Sequence, residues 1–355
     1  MKQSQKKYKR IVIKIGSSLL YAGKKLDSLS FHKIVAQVSE LIKSEEKEII
    51  LVSSGAIAFG MDLLKIDSRP KQLPLLQAAA AVGQNALMDK YNNEFSKCGI
   101  NCAQVLLTWD DFVDRQRYLN AKNTLLELLK LDCVSVINEN DTISTDEIKF
   151  GDNDLLSALA AKLVGADLLI LLSDVDGLLD KDNKVISVID EINAQVKSLA
   201  HSTKNRTCVG GMITKIGAAN MVVNSGIPCV IANGRTENII LSAIHKPESS
   251  GTLFVSKRIL SARKHWIAFG TKTKGKIIVD DGAKQALLNN KSLLSVGVLS
   301  SDGNFESGDI VSVSDSQGRE FARGKAALSS RELDKVKGRR SEKEVIHRDN
   351  IVVTL

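Results

Sequence analysis

The chain contains no run of the roughly 18 uninterrupted apolar residues that a membrane-crossing helix requires. Its basic N-terminus, Lys2 to Arg10, leads into an apolar stretch broken by Lys14 and Gly16, which is too short for a secretory leader. The expectation is a cytoplasmic protein with no membrane partner. Cysteine is scarce and odd in number: Cys98, Cys102, Cys133, Cys208 and Cys229 are scattered through core-like segments. That pattern excludes a disulfide framework and fits reduced thiols. Cys98 and Cys102 have metal-like spacing but no second pair to close a zinc site. The five histidines, His32, His201, His245, His265 and His347, fall in polar or linker contexts without a nucleophile elbow, so hydrolase chemistry is not supported. A Walker loop is missing too: Gly270 and Gly275-Lys276 have its spacing, but Ile277 stands where a Ser or Thr must meet magnesium, and a strand-like run follows.

What is present is an ordinary globular composition, 43% hydrophobic and 25% charged, over 355 residues. A single core rarely grows past about 250–300 residues, so a main domain plus a smaller one is expected. The formal net charge of +8 permits an anionic partner without requiring one. Short apolar runs alternate with helical patterns as far as Phe254. The strands are expected at Ile11–Ile15, Ile49–Val52, Gln104–Thr108, Val134–Ile137, Leu168–Ser173, Cys229–Ala232 and Leu253–Val255. Helical periodicity lies between them, as in 75–95, 121–131, 154–163 and 212–224. Such alternation predicts a three-layer α/β/α sandwich around a mainly parallel sheet. Beyond it, glycine-punctuated short strands with one helix near 284–289 predict a small β-barrel-like domain. The expected division is residues 1–258, a linker over 259–274, and residues 275–355.

Polar groups cluster where the predicted strands end. Asn138-Glu139-Asn140-Asp141 follows one apolar run, and Gly151-Asp152-Asn153-Asp154 follows soon after. In open α/β sheets, strand exits are where charged ligands bind, because backbone donors and short side chains are free there. Acids alone would repel phosphate, so cations are needed. Lys14 precedes the tight Gly16-Ser17-Ser18 turn, and Lys215 lies in Gly210-Gly211-Met212-Ile213-Thr214-Lys215 at the start of a helical pattern. A fixed ammonium can neutralise a transferring phosphoryl group, and paired glycines let phosphate approach the backbone. Ser53-Ser54-Gly55-Ala56 reads either as a second anion-binding helix start or as simple serine capping. Ser173-Asp174 marks one more strand exit, and Asp176-Gly177 reads equally well as a turn.

Together these segments, with Gly251-Thr252-Leu253-Phe254, resemble the glutamate 5-kinase family of the amino acid kinase superfamily over nearly the whole chain. The tail from Gly275, with Val279-Asp280-Asp281-Gly282-Ala283 and His347-Arg348-Asp349, resembles the PUA domain that ends bacterial members. The resemblance implies ATP-dependent phosphorylation of the glutamate side-chain carboxylate to glutamyl 5-phosphate, the first step of proline synthesis, with magnesium bridging the phosphates and no protein residue assigned to the metal. It implies catalytic roles for Lys14, Lys215 and Asp154, with Asp154 orienting both lysines. Glutamate falls to Ser54, Asp141 and Asn153. ATP falls to Lys14, Ser173, Asp174, Val209, Gly210, Gly211, Met212, Ile213, Thr214 and Lys215. It further implies proline as a feedback inhibitor, at the glutamate pocket and Arg115–Tyr118, and glutamyl phosphate reductase as a downstream partner. RNA contact through the PUA domain and a homodimer or homotetramer complete what it implies. Two departures stand out: Cys208-Val209 replaces the family's Gly-Thr, and Ser173 replaces a Thr. The alternatives are a superfamily kinase acting on acetylglutamate or aspartate, or an RNA-binding protein acting through the PUA domain.

Overall fold

The computed structural model describes residues 8–22, 25–143, 153–201, 211–256, 273–289, 291–339, 341 and 343–353. The chain divides into two compact units, Met1–Ile259 and Leu260–Leu355. In the first, the strands are β1 (Arg10–Ile15), β2 (Tyr21–Ala22), β3 (Lys25–Leu26), β4 (Glu48–Ser53), β5 (Cys102–Leu107), β6 (Val134–Glu139), β7 (Leu168–Ser173), β8 (Val188–Ile189), β9 (Cys229–Asn233) and β10 (Thr252–Phe254). The helices are α1 (Ser17–Leu20), α2 (Ser28–Glu45), α3 (Ala56–Leu63), α4 (Leu73–Lys97), α5 (Asp110–Val113), α6 (Arg115–Lys130), α7 (Asn153–Val164), α8 (Ala194–His201), α9 (Met212–Val223) and α10 (Ile239–His245).

An eight-stranded sheet runs in the order β5-β6-β4-β1-β7-β9-β10-β8. Its central pairings are parallel, and only β10 against β9 is antiparallel. Strand side chains alternate between faces, so each central strand feeds two cores. Ile11, Ile13, Ile15, Ile49 and Leu51 pack with Phe31 of α2, with Tyr91 and Phe95 of α4, and with Ile240 of α10. Val12, Ile50, Val52, Leu169 and Leu171 pack on the other face with Leu125 of α6, Ala158 of α7, and Ile216 and Ala219 of α9. This is the expected three-layer sandwich. No helix among the described residues is long and apolar enough to cross a membrane.

Two strand ends differ from expectation by two residues, and the others by one at most. β6 continues through Asn138 and Glu139, which pair in parallel register with Leu106 and Leu107. Sheet hydrogen bonding carries these polar residues into the strand, so the exit begins at Asn140. β5 starts at Cys102 rather than Gln104, again through pairing with β6.

The second unit is built from β11 (Gly275–Val279), α11 (Asp281–Leu288), β12 (Leu293–Leu294), β13 (Val298–Asp302), β14 (Ile310–Ser314), β15 (Glu320–Lys325), α12 (Ser330–Val336), β16 (Glu344–Ile346) and β17 (Ile351–Val353). A five-stranded sheet, β13-β11-β14-β15-β17, and the small β12-β16 pair enclose a separate core around Phe305, Phe321 and Leu333. Asp280 caps α11 by accepting from the Ala283 amide at 2.7 Å, and Ser329 with Glu332 forms a capping box on α12.

Candidate functional site

Lys14 points to the α7/α9 side of the sheet, because it shares the parity of Val12 in β1. Asp154 stands in the first turn of α7, and Lys215 in the first turn of α9. Lys14 Nζ lies 2.7 Å from Asp154 Oδ1, and Lys215 Nζ lies 3.1 Å from Oδ2. Asp154 is 0% exposed and both lysines are buried. Burial pushes the Asp154 carboxyl up, but the charges and hydrogen bonds of Lys14 and Lys215 outweigh it and hold the group below the usual carboxylate range. The helix dipole favours an acid at the start of α7 and disfavours a cation at the start of α9, so the carboxylate is what makes a buried Lys215 tolerable there. Thr214 Oγ1 also donates to Asp154 Oδ2, at 3.1 Å.

Lys14 and Lys215, with Asp154 behind them, form part of the wall of a cleft that is lined by Gly16, Ser17 and Ser18 from the first strand exit, Ser54 to Ala58, and Ser173 and Asp174. Arg69, Asn138, Glu139, Asp141 and Asn153 complete it. The walls are tied by backbone bonds: Gly16 N donates to Leu172 O at 3.0 Å and Ser54 N to Ile15 O at 3.1 Å. Gly55 starts α3 at φ 112°, a conformation that L side chains rarely adopt, which turns the chain from β4 sharply into the helix. Helix α3 is held by α4 at backbone distance. A Cβ built on Gly83 would fall 1.8 Å from Ala56 O, and one on Gly60 would fall 1.7 Å from Ala79 O.

Within this cleft, one amide group joins three elements. Asn153 Nδ2 donates to Ser54 Oγ at 2.9 Å, Asn138 Oδ1 at 2.9 Å and the Ser53 carbonyl at 3.1 Å. Glu139 and Asp141 place two acids on the same wall. Burial first and the Glu139 charge second, against the opposing charge of Arg69, push the Asp141 carboxyl up to about 6.

Of the residues singled out in the sequence, the cleft gathers Lys14, Ser54, Asp141, Asn153, Asp154, Ser173, Asp174 and Lys215. Gly211 is the N-cap of α9, with Met212, Ile213 and Thr214 in its first turn. Val209 and Gly210 lie outside the described residues, as do Gly151, Asp152 and Cys208. Arg115 to Tyr118 form the first turn of α6 and do not line the cleft. Arg69 and Glu139 were not assigned from sequence. Glu139 belonged to a flagged tetrapeptide, but Arg69 sits in a turn-rich stretch between α3 and α4 that carries no periodic signal.

Comparison with known proteins identifies the family. Residues 9–233 match the amino acid kinase family and residues 275–348 match the PUA domain. The chain is 44% identical to the glutamate 5-kinase of Thermoanaerobacter sp. (strain X514), over 97% of both chains. It is 46% identical to that of Caldanaerobacter subterraneus subsp. tengcongensis, again over 97% of both. It is 43% identical to that of Geobacter sulfurreducens, over 98% of both. With one relationship spanning both units, the chain belongs to the glutamate 5-kinases of the amino acid kinase family and carries a C-terminal PUA domain.

Proposed function

We propose that the chain transfers the γ-phosphoryl group of ATP to the side-chain carboxylate of L-glutamate, giving glutamyl 5-phosphate and ADP, as the first step of proline synthesis. A carboxylate oxygen forms the new bond to phosphorus while the bond to the ADP oxygen breaks. That carboxylate is already ionised at neutral pH, since its ordinary pKa is about 4.3, so no general base is needed. What remains is positioning and charge neutralisation. The observation that carries the proposal is the buried carboxylate of Asp154 holding two ammonium groups from distant parts of the chain, 2.7 and 3.1 Å away. Lys14 and Lys215 neutralise the migrating phosphoryl, while Asp154 keeps them from repelling each other. Ser173 and Asp174 with the start of α9 take the nucleotide.

Glutamate brings one ammonium and two carboxylates, and the amino-acid end of the cleft offers a partner for each. Asp141, with Glu139 beside it, takes the ammonium together with Asn153; Ser54 and Arg69 take the α-carboxylate. Among the described residues no group of three His, Cys, Asp or Glu side chains could hold a metal ion, and Asp154 is already engaged by two lysines. Magnesium would arrive with the nucleotide and help neutralise its charge. Proline carries the same α-ammonium and α-carboxylate, so competition at this pocket follows from the same groups.

The test is glutamate-dependent ADP release by the purified protein, beside acetylglutamate and aspartate. Turnover should require free glutamate. Lys215→Met should lower kcat by roughly a thousandfold or more, as for loss of a main electrostatic group at a transition state, while calorimetric glutamate affinity stays near its original value. No glutamate-dependent turnover, or equal turnover with acetylglutamate, would refute the assignment.

A further inference from the structure

The amide cluster at the amino-acid end has a fixed sense, and it leads to a residue that does not touch the cleft. The Ser53 carbonyl can only accept, so Asn153 must turn its NH2 toward it; the observed contact is 3.1 Å. The Glu139 amide can only donate, so Asn138 must turn Oδ1 toward it, as it does at 2.9 Å. Two backbone groups thus set the orientation of both side chains. With its NH2 engaged by Ser53, Ser54 and Asn138, Asn153 is left with Oδ1 as its remaining polar atom, an acceptor suited to an ammonium. Ser54 Oγ, having accepted from Asn153, keeps its hydrogen for a carboxylate.

The same logic leaves Asn138 Nδ2 needing an acceptor in a buried place, and the acceptor is Gln84 Oε1 at 2.8 Å. Gln84 is itself buried in the middle of α4. Its own Nε2 is buried with no hydrogen-bond partner among the described residues, an arrangement that usually costs stability. The neighbouring Gly83 presses the α4 backbone onto Ala56 at the start of α3. One dipeptide of α4 therefore fixes both walls of the amino-acid pocket: Gly83 through the backbone after Ser54-Gly55, and Gln84 through Asn138 and Asn153.

We propose that Gln84 is a positioning residue for the amino-acid substrate, acting through Asn138 to hold Asn153 with its Oδ1 toward the substrate ammonium. The inference rests on glutamate as the substrate. It is tested with Gln84→Met, which keeps shape but removes the acceptor, and Gln84→Glu, which keeps a carbonyl-type acceptor in either protonation state. Gln84→Met should raise KM for glutamate about tenfold or more, the scale of a buried donor left unpaired, with KM for ATP unchanged. It should also shrink the preference for glutamate over glutarate, which lacks the ammonium, by a similar factor. Gln84→Glu should restore most of both.

A general structural role would raise the KM values for ATP and glutamate together, or leave the glutamate-to-glutarate ratio untouched; either result overturns the proposal. So does failure of Gln84→Glu to recover the ratio while its melting temperature matches the unsubstituted protein. If the unsubstituted protein shows no glutamate-dependent turnover, it is the substrate assignment that fails. If it turns over glutamate normally and Gln84→Met changes nothing, only the role of Gln84 fails.

Discussion

Lowering the pH should weaken glutamate binding well above the range where ordinary carboxylates titrate. Asp141 is the reason: burial first, and the neighbouring Glu139 second, lift its carboxyl to about 6. In the proposed assignment the ionised form takes the ammonium of glutamate, so each pH unit below that midpoint should cost about 1.4 kcal/mol, or tenfold in Kd. Near pH 5 only about one molecule in eleven is ionised, and Kd should stand about tenfold above its value at neutral pH. The side chain of free glutamate protonates near 4.3, so the interval between about 5 and 7 isolates the protein group.

The stability of the empty protein should move the other way. The folded-state pKa lies above the unfolded value of about 3.9, so the folded form binds the proton more tightly, and stability rises as pH falls from about 6 to 4. The gain is at most about 3 kcal/mol, because the folded and unfolded midpoints stand roughly two pH units apart. Isothermal titration of glutamate without nucleotide, from about pH 7 down to 5, reads the first effect, and thermal melting reads the second. Glu139→Gln should move the binding midpoint down toward the ordinary carboxylate range, and Asp141→Asn should flatten the profile while weakening affinity throughout. A Kd that stays constant over this interval, or an unchanged profile in Asp141→Asn, would refute the reasoning.

Asp154→Asn leaves two buried ammonium groups without their counter-charge, so it should cost about 3–5 kcal/mol of stability and bring kcat down at least a hundredfold through misplacement of both lysines; chemical denaturation and steady-state kinetics measure the two losses. The native Asp154 pKa is held below normal, so this part of the stability is present above the unfolded carboxylate pKa and disappears only as pH falls through the lowered value. Arg69→Gln should raise KM for glutamate roughly tenfold, the low end for a hydrogen bond to a charged group because Arg69 is exposed, with little change for the α-amide of glutamate; equal losses for both compounds would remove Arg69 from carboxylate recognition.

The sheet was legible because the runs around Ile13, Ile50, Ile170 and Ile231 are apolar on both faces, as a doubly covered parallel sheet requires. The ion triad was legible for a related reason: Lys14, Asp154 and Lys215 each interrupt an apolar strand end or helix start, where a buried charge is conspicuous. Three things were not legible. The direction of β10 was hidden, because Thr252 to Phe254 reads the same in either sense, and only its pairing with Ile231, Val230 and Cys229 makes it antiparallel. The strand character of Asn138 and Glu139 comes from their partners in β5, since their own composition favours a loop. Gln84 lies in an alanine-rich helix where a glutamine looks like a solvent-facing residue. Its importance depends on an amide across the sheet edge, 54 positions away in sequence.

The ion triad also bears on how the enzyme is born. Lys14 emerges from the ribosome early, Asp154 much later and Lys215 later still, yet β1 lies beside β7 in the finished sheet. Chains whose contacts are this distant assemble slowly and in stages. A nascent polypeptide halted before Lys215 has a single lysine, Lys14, for the Asp154 carboxylate. The cluster is complete only once α9 has been made and packed beside α7.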